Sequence, residues 1–162
     1  MDNIIISTME LQDLNSIKNV LLKDFDNFWT YNVFKEELSN PNSKYIVAKI
    51  DNTVVGFAGI WKTVDVIHIT NIVTKKIFRR NGIGSILLKN LINLSKNMED
   101  VTSITLEVNE NNIPAKKLYE KFGFKIVGLR KKYYNNTNDA ILMTKILKGE
   151  TNEKNWIKLQ TT

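Results

Sequence analysis

The chain has 162 residues, 43% of them hydrophobic, and a formal net charge of +6. This length fits one domain with a core of its own, and the basic balance indicates an anionic partner without identifying it. The absence of cysteine and the single histidine, His68, exclude disulfides, thiolate metal sites, a cysteine nucleophile and a multi-histidine metal centre.

The first half of the chain is predicted to mix short strands and helices. In chain order, we expect a strand at 4–6, a helix at about 10–22, a short helix at about 32–39 that ends near Pro41, a hairpin of strands 45–49 and 53–61 across Asp51-Asn52, and a strand at 64–74. The aromatic residues between 25 and 34 are more typical of a core than of a binding site.

The second half continues with a glycine-containing loop at 79–84 and an amphipathic helix whose apolar residues recur at intervals of three and four. We then expect a strand at 102–108, a helix that begins near Pro114 and ends at Gly123 with Phe124 as its hydrophobic partner, and strands at 124–133 and 139–146. Strands and helices that follow one another without strict alternation predict an α/β or α+β fold with a mixed sheet.

The loop Arg79-Arg80-Asn81-Gly82-Ile83-Gly84 is the segment that says most about function. A helix N-terminus offers free N–H groups to a phosphate, and glycine lets the backbone approach a ligand closely. The third glycine of a dinucleotide fingerprint is missing, and so is the Gly-Lys-Ser/Thr of a P-loop. A plain tight turn would fit the same residues.

The distribution of charge favours a pyrophosphate on this loop over a plain turn. Residues 1–74 carry six Lys+Arg against nine Asp+Glu, whereas residues 75–148 carry fifteen against six. Two of the three arginines of the chain, Arg79 and Arg80, lie in the loop. Arginine offers bidentate hydrogen bonds to phosphate that lysine cannot offer.

These residues resemble the GNAT superfamily of acetyl-CoA-dependent N-acetyltransferases. The loop is similar to the Arg/Gln-x-x-Gly-x-Gly/Ala pyrophosphate motif of that superfamily, and segment 68–73 before it is similar to the cofactor strand. Segments 106–108, 118–124 and 128–134 follow the second half of the family pattern, in order. The nearer likeness is to the ribosomal-protein-alanine N-acetyltransferase (RimI) type. It is strong over about 65–146 and rests on pattern alone over 1–64.

The resemblance implies a GNAT-type single domain over residues 1–148, with a mixed, mostly antiparallel central sheet flanked by about four helices, and a polar tail over 149–162. It implies acetyl-CoA as the cofactor, coenzyme A as the product, and no metal. The residues assigned to the cofactor are Ile72, Val73, Thr74, Arg79, Arg80, Asn81, Gly82, Ile83, Gly84, Ser85 and Asn112. Asn112 precedes Pro114 and could also cap a helix.

The resemblance also assigns two catalytic residues. Glu107 would be the general base, directly or through water, and Tyr119 the general acid that protonates the coenzyme A sulfur. Period-two alternation points Glu107 away from the face of Leu106 and Val108, so a surface glutamate is the alternative. Tyr119 lies in the apolar stripe of its helix, where a core tyrosine is the alternative.

For the acceptor, the resemblance implies a primary amine, foremost the N-terminal α-amino group of a protein such as a ribosomal protein. Trp29, Tyr133 and Tyr134 are the expected substrate contacts. Without a cysteine to carry the acetyl group, direct transfer in a ternary complex is the simplest mechanism. A GNAT enzyme acting on a polyamine, an amino acid or an antibiotic is the alternative.

Two partner classes are not expected. The lysines are not interleaved with stacking aromatic residues, so direct binding of nucleic acid is disfavoured. No window of about 18 apolar residues exists, so no membrane span is expected. The N-terminus lacks the basic region of a signal peptide. We therefore expect a cytoplasmic enzyme.

Overall fold

The strands of the chain form one seven-stranded sheet. The computed structural model describes residues 3–27, 29–134 and 138–147, without the side chains of 132–134. Its elements are β1 (Ile5–Thr8), α1 (Leu11–Ser16), α2 (Leu21–Phe25), α3 (Tyr31–Leu38), β2 (Ser43–Ile50), β3 (Thr53–Lys62), β4 (Val66–Thr74), a 3-10 turn (Lys76–Phe78), α4 (Ile83–Lys96), β5 (Ser103–Asn109), α5 (Ile113–Lys121), β6 (Lys125–Tyr134) and β7 (Asn138–Ile146). The strand order is β1-β2-β3-β4-β5-β7-β6.

The predicted fold class is confirmed. The four strand pairs whose registers are described, β1 with β2, β2 with β3, β5 with β7 and β6 with β7, are antiparallel. The described part of the chain has five α-helices where about four were expected. The predicted tail at 149–162 and most of the turn between β6 and β7 lie outside the described residues.

The additional helix arises because the predicted helix at 10–22 is broken. The N–H of Ile17 donates to the Leu14 carbonyl, three residues back instead of four. Ser16 Oγ donates to the Asp13 carbonyl at 2.6 Å, a local bond that competes with the helix ladder. Leu14, Ile17 and Leu21 are nevertheless all buried. Because the apolar spacing continues across the break, the sequence pattern predicts one helix where the structure has two.

The described residues divide into two compact units, those within 1–63 and 68–94 and those within 64–67 and 95–162. The core of the first unit is the aromatic cluster, in which the Phe34 ring lies 5.2 Å from the rings of both Tyr45 and Phe57. Gly59 makes room for it, because a Cβ at this position would lie 2.1 Å from the Tyr45 ring. The predicted core is confirmed for Phe25 and Phe34, which are buried, while Trp29 and Tyr31 are partly buried against it and Phe28 lies outside the described residues.

Helix α4 packs closely on the sheet of the first unit because β3 carries a glycine beneath it. A Cβ at Gly56 would lie 3.0 Å from the Val73 carbonyl oxygen and 3.1 Å from side-chain atoms of Ile83 and Leu87. Both α4 side chains are fully buried. The start of α4, and the loop before it, are thereby fixed against the end of β4.

In the second unit, β5 alternates as predicted. Ile104, Leu106 and Val108 are buried, while the residues between them are partly exposed. Helix α5 ends in a Schellman motif, in which the N–H of Phe124 donates to the Tyr119 carbonyl at 3.0 Å and Gly123 has φ of 92°. The predicted end of this helix at Gly123 is confirmed.

Candidate functional site

The glycine loop has the backbone of an anion site. Gly82 has φ of 81°, and a Cβ built on it would meet no atom within 4 Å. The N–H of Ile86 makes the first bond of α4, to the Gly82 carbonyl at 3.1 Å. The N–H groups from Ile83 to Ser85 therefore have no intrahelical acceptor. The burial of the Ile83 side chain anchors this donor set to the core.

Arg79 fastens the loop to other parts of the first unit. Its Nε donates to the Thr74 carbonyl at 3.2 Å, and its Nη2 donates to Asp26 Oδ2 at 2.9 Å. Lys76 Nζ lies 3.0 Å from the other Asp26 oxygen. These two cations, Lys76 foremost, lower the pKa of Asp26 below its ordinary value. The Arg79 side chain thus connects the loop both to the end of β4 and to the C-terminal cap of α2.

Arg80 differs from Arg79 in having an exposed side chain that makes no hydrogen bond or ion pair with another described residue. Its backbone is left-handed, with φ of 65°, and Asn81 closes the turn by donating from Nδ2 to the carbonyls of Phe78 and Arg79 at 3.0 and 3.2 Å. Of the two loop arginines, Arg80 is therefore the one whose guanidinium is available to a phosphate. A phosphate contact by the Arg79 side chain stays a prediction.

The strand end that the resemblance assigns to the cofactor, Ile72 to Thr74, is the last part of β4. Val73 packs against the aromatic core. The Thr74 carbonyl is occupied by Arg79, and the N–H of Lys75 donates to the Val55 carbonyl at 2.8 Å. These contacts give β4 a fixed end, against which a ligand could be positioned by backbone hydrogen bonds.

Glu107 is paired with Arg130 in the second unit. Arg130 Nη2 donates to Glu107 Oε1 at 3.0 Å, and the two side chains are 52% and 29% exposed. Glu107 lies opposite Leu142 and Arg130 opposite Ala140, so both side chains stand on one face, diagonally across β7. Glu107 is a partly exposed carboxylate with one oxygen held.

A bulge in β6 sets this pairing. Ile126 and Gly128 lie opposite Met143 and Leu142, which are consecutive residues of β7. Val127 is the extra residue, and it reverses which later residues of β6 face the side of Glu107. The bulge therefore determines that Arg130 reaches the carboxylate.

Tyr119 and Asn112 lie at opposite ends of α5. Asn112 Oδ1 accepts a hydrogen bond from the N–H of Ala115 at 3.3 Å, so its predicted capping role is confirmed. Tyr119 is partly buried, and its ring lies 5.9 Å from the Phe124 ring in an edge-on arrangement. The Schellman motif holds the Tyr119 backbone, and the ring contact orients the phenol.

The predicted acceptor contacts are placed only in part. Trp29 is partly buried and packs edge-on against Phe34 and Tyr45, with ring centroids 5.6 and 6.3 Å apart. Tyr133 and Tyr134 belong to the end of β6, but their side chains lie outside the described residues. The first unit therefore holds the predicted cofactor loop and Trp29, and the second holds Glu107, Tyr119 and Asn112.

Sequence reasoning missed three polar side chains near these positions: Arg130, Asn71 and Asn27. Arg130 is the one arginine outside the loop, which could have drawn attention to it. Asn71 immediately precedes the strand end predicted to hold the cofactor, and its Nδ2 donates to Asn27 Oδ1 at 3.3 Å. Nothing local in the sequence indicates that pair, because its members lie 44 positions apart.

Comparison with known proteins gives a consistent result. The model of the acetyltransferase (GNAT) family matches residues 11–124. A Bacillus subtilis (strain 168) protein, provisionally named a ribosomal protein bS18-alanine N-acetyltransferase, is 36% identical over 85% of this chain and 92% of its own length. An N-alpha-acetyltransferase of Saccharolobus solfataricus is 32% identical over 85% of this chain and 89% of its own.

A solved structure extends the similarity to the fold. The ribosomal-protein-S18-alanine N-acetyltransferase from Escherichia coli has a TM-score of 0.81 and 25% identity, with 92% of this chain and 98% of that one covered. Within the described residues, no cluster of three or more His, Asp or Glu side chains could hold a metal ion. No helix there is long and apolar enough to cross a bilayer.

Proposed function

Because the chain belongs to the acetyltransferase (GNAT) family, we propose that it transfers the acetyl group of acetyl-CoA to the α-amino group of a protein N-terminus, foremost that of a ribosomal protein. The observation that carries this proposal is the glycine loop, where Gly82 leaves open space before the helix N–H groups that have no intrahelical acceptor. The likeness to N-alpha-acetyltransferases over most of the chain supports the choice of acceptor.

The residues of the loop fit a ligand that carries a pyrophosphate. The N–H groups from Ile83 to Ser85 point along the positive end of the α4 dipole, which favours negative charge. Arg80 can add a charge-assisted hydrogen bond, while Arg79 keeps the loop in place through Asp26. Ile72 to Thr74 hold the reactive arm of the ligand through their backbone, and Asn112 adds a contact from the start of α5.

Acetyl-CoA supplies an activated acyl group as a thioester, and side chains of this protein accept and donate the protons. Glu107 accepts the proton that the amine loses as its nitrogen bonds to the acyl carbon. The Arg130 guanidinium occupies Glu107 Oε1, which orients the carboxylate. Tyr119 donates its phenolic proton to the departing sulfur as the carbon–sulfur bond breaks. Holding both reactants together supplies much of the rate enhancement.

Trp29, Tyr133 and Tyr134 are proposed to contact the acceptor. The N-terminal acetyltransferase proposal places the enzyme in the cytoplasm, where ribosomal proteins are made, with no need for nucleic acid or a membrane. The predicted organisation, with one domain over 1–148 and a polar tail over 149–162, is retained as part of the proposal.

The proposal is tested by measuring initial rates with acetyl-CoA and a panel of acceptors. The panel contains peptides with free N-termini, including one with the N-terminal sequence of ribosomal protein bS18, together with polyamines, amino acids and an aminoglycoside. We expect turnover of peptides and little turnover of small amines. Turnover of small amines alone would overturn the proposed acceptor class, and the same mixture without enzyme provides the background rate.

A further inference from the structure

A buried amide oxygen beside the cofactor strand end has no hydrogen-bond partner. It is Oδ1 of Asn71, and within the described part of the chain it is the side-chain polar atom that is buried and unpaired. Buried polar groups in folded proteins are nearly always hydrogen-bonded, and an unpaired one costs about 1–3 kcal/mol. Such an atom next to a binding site indicates that a ligand completes it.

The orientation of this amide follows from its neighbours. The Trp29 carbonyl can only accept, so the Asn27 atom that lies 3.5 Å from it is the donor Nδ2. Asn27 Oδ1 then faces Asn71, whose Nδ2 donates to it at 3.3 Å. This leaves Asn71 Oδ1 as a hydrogen-bond acceptor that lacks a donor among the described residues.

The partner of this amide, Asn27, is buried and its backbone is hydrogen-bonded. Asn27 is only 6% exposed, and its backbone N–H donates to the Leu21 carbonyl at 2.9 Å. Asn71 therefore presents its oxygen from a defined position, as a group that selects a ligand must.

The position along β4 indicates which donor this is. Asn71 comes one residue before Ile72 to Thr74, the segment proposed to hold the reactive arm of acetyl-CoA. A strand advances about 3.3 Å per residue, and a reacting amine lies about 3–3.5 Å from the carbon that it attacks. In a peptide, the next N–H after the α-amine is that of the first peptide bond, one residue further along the acceptor.

We propose that Asn71 Oδ1 accepts a hydrogen bond from the first backbone N–H of the acceptor peptide. This inference rests on the proposed function and deepens it, because Asn71 becomes a residue that distinguishes a peptide N-terminus from a simple amine. A polyamine or an aminoglycoside has no backbone amide N–H at a fixed distance from its reacting amine.

The test is a cycle of one enzyme variant and one substrate variant. The substrate is a short peptide in which the first amide is replaced by an ester, which removes the N–H with little change in shape. Initial rates with the amide and ester peptides are measured for wild type and for Asn71→Leu, at saturating acetyl-CoA. Asn93→Leu, at an exposed position on α4, is the matched control for the same change of residue.

Wild type and Asn93→Leu are expected to prefer the amide peptide by about tenfold in kcat/KM, as for one buried hydrogen bond. Asn71→Leu is expected to show a preference near one. Asn71→Asp keeps an oxygen acceptor and should retain part of the preference for the amide peptide. This second variant keeps the inference testable if Asn71→Leu folds poorly. A preference retained in Asn71→Leu, or absent in wild type, would overturn the inference. A wild type that acetylates neither peptide would instead overturn the proposed function.

Discussion

Replacing Gly82 by alanine separates the stability of the glycine loop from the ligand binding proposed for it. Gly82 has φ of 81°, and its Cβ would meet nothing within 4 Å. The added methyl group therefore clashes with no other part of the protein, and the cost of folding is that of the left-handed backbone, about 1–2 kcal/mol. For a chain of this size we expect Tm to fall by about 2–8 °C.

Binding should suffer more than stability. The open space over Gly82 is where the proposed pyrophosphate approaches the N–H groups of α4, so the methyl group separates donor and acceptor. Loss of one charge-assisted hydrogen bond, worth about 1.5–3 kcal/mol, raises Kd about 10- to 150-fold. Titration calorimetry with coenzyme A measures this directly, with differential scanning calorimetry for Tm.

The control for backbone strain is Gly123→Ala, because Gly123 also has positive φ, at 92°, but ends α5. That variant should lose stability, partly because its Cβ would lie 2.8 Å from Lys145 Nζ, while its Kd for coenzyme A stays within about twofold of wild type, which is about 0.4 kcal/mol. A Gly82→Ala protein with lowered Tm and unchanged Kd would refute the assignment of the pyrophosphate to this loop.

Three further predictions concern charge, catalysis and pH. Arg80→Ala should raise Kd for coenzyme A about tenfold and flatten its salt dependence, whereas equal effects of Arg79→Ala and Arg80→Ala, with no fall in Tm for Arg79→Ala, would contradict their different roles. Glu107→Gln and Tyr119→Phe should each lower kcat about 100-fold or more with little change in Kd for coenzyme A, and a wild-type rate in either variant would remove that residue from the mechanism. Burial raises the pKa of Tyr45 from 10.0 to about 12, so the unfolded chain ionises first and the free energy of unfolding should fall between pH 10 and 12. Urea unfolding of Tyr45→Phe should show less of this fall, and an identical pH profile in both proteins would contradict it.

Features that depend on local spacing were predictable from the sequence. The glycines of the loop, the C-terminal glycine of α5 and the period-two alternation of β5 each leave a pattern within a few residues. They predicted the glycine turn before α4 and the partly exposed side of β5 on which Glu107 lies. The break between α1 and α2 was not predictable in the same way, because the helical spacing of apolar residues continues through it. The competing interaction is a single hydrogen bond from Ser16 Oγ to the Asp13 carbonyl, which leaves no pattern in the sequence.

Features that depend on distant pairing were beyond sequence reasoning. The bond between Arg79 and Asp26 joins residues 53 positions apart, so a single arginine motif could not reveal which arginine stays available. The contact between Arg130 and Glu107 depends on a one-residue bulge in β6. The unpaired oxygen of Asn71 follows from a chain of donors and acceptors that begins at Trp29.

The proposed transfer to an α-amine is tested most simply by identifying which nitrogen atom of a peptide becomes acetylated. A peptide with a free α-amine and an internal lysine is incubated with acetyl-CoA and the enzyme, and tandem mass spectrometry locates the acetyl group. We expect one acetyl group on the α-amine, none on the lysine, and no product from the same peptide with a blocked N-terminus. Acetylation of the lysine alone, or of the blocked peptide at the same rate, would contradict it.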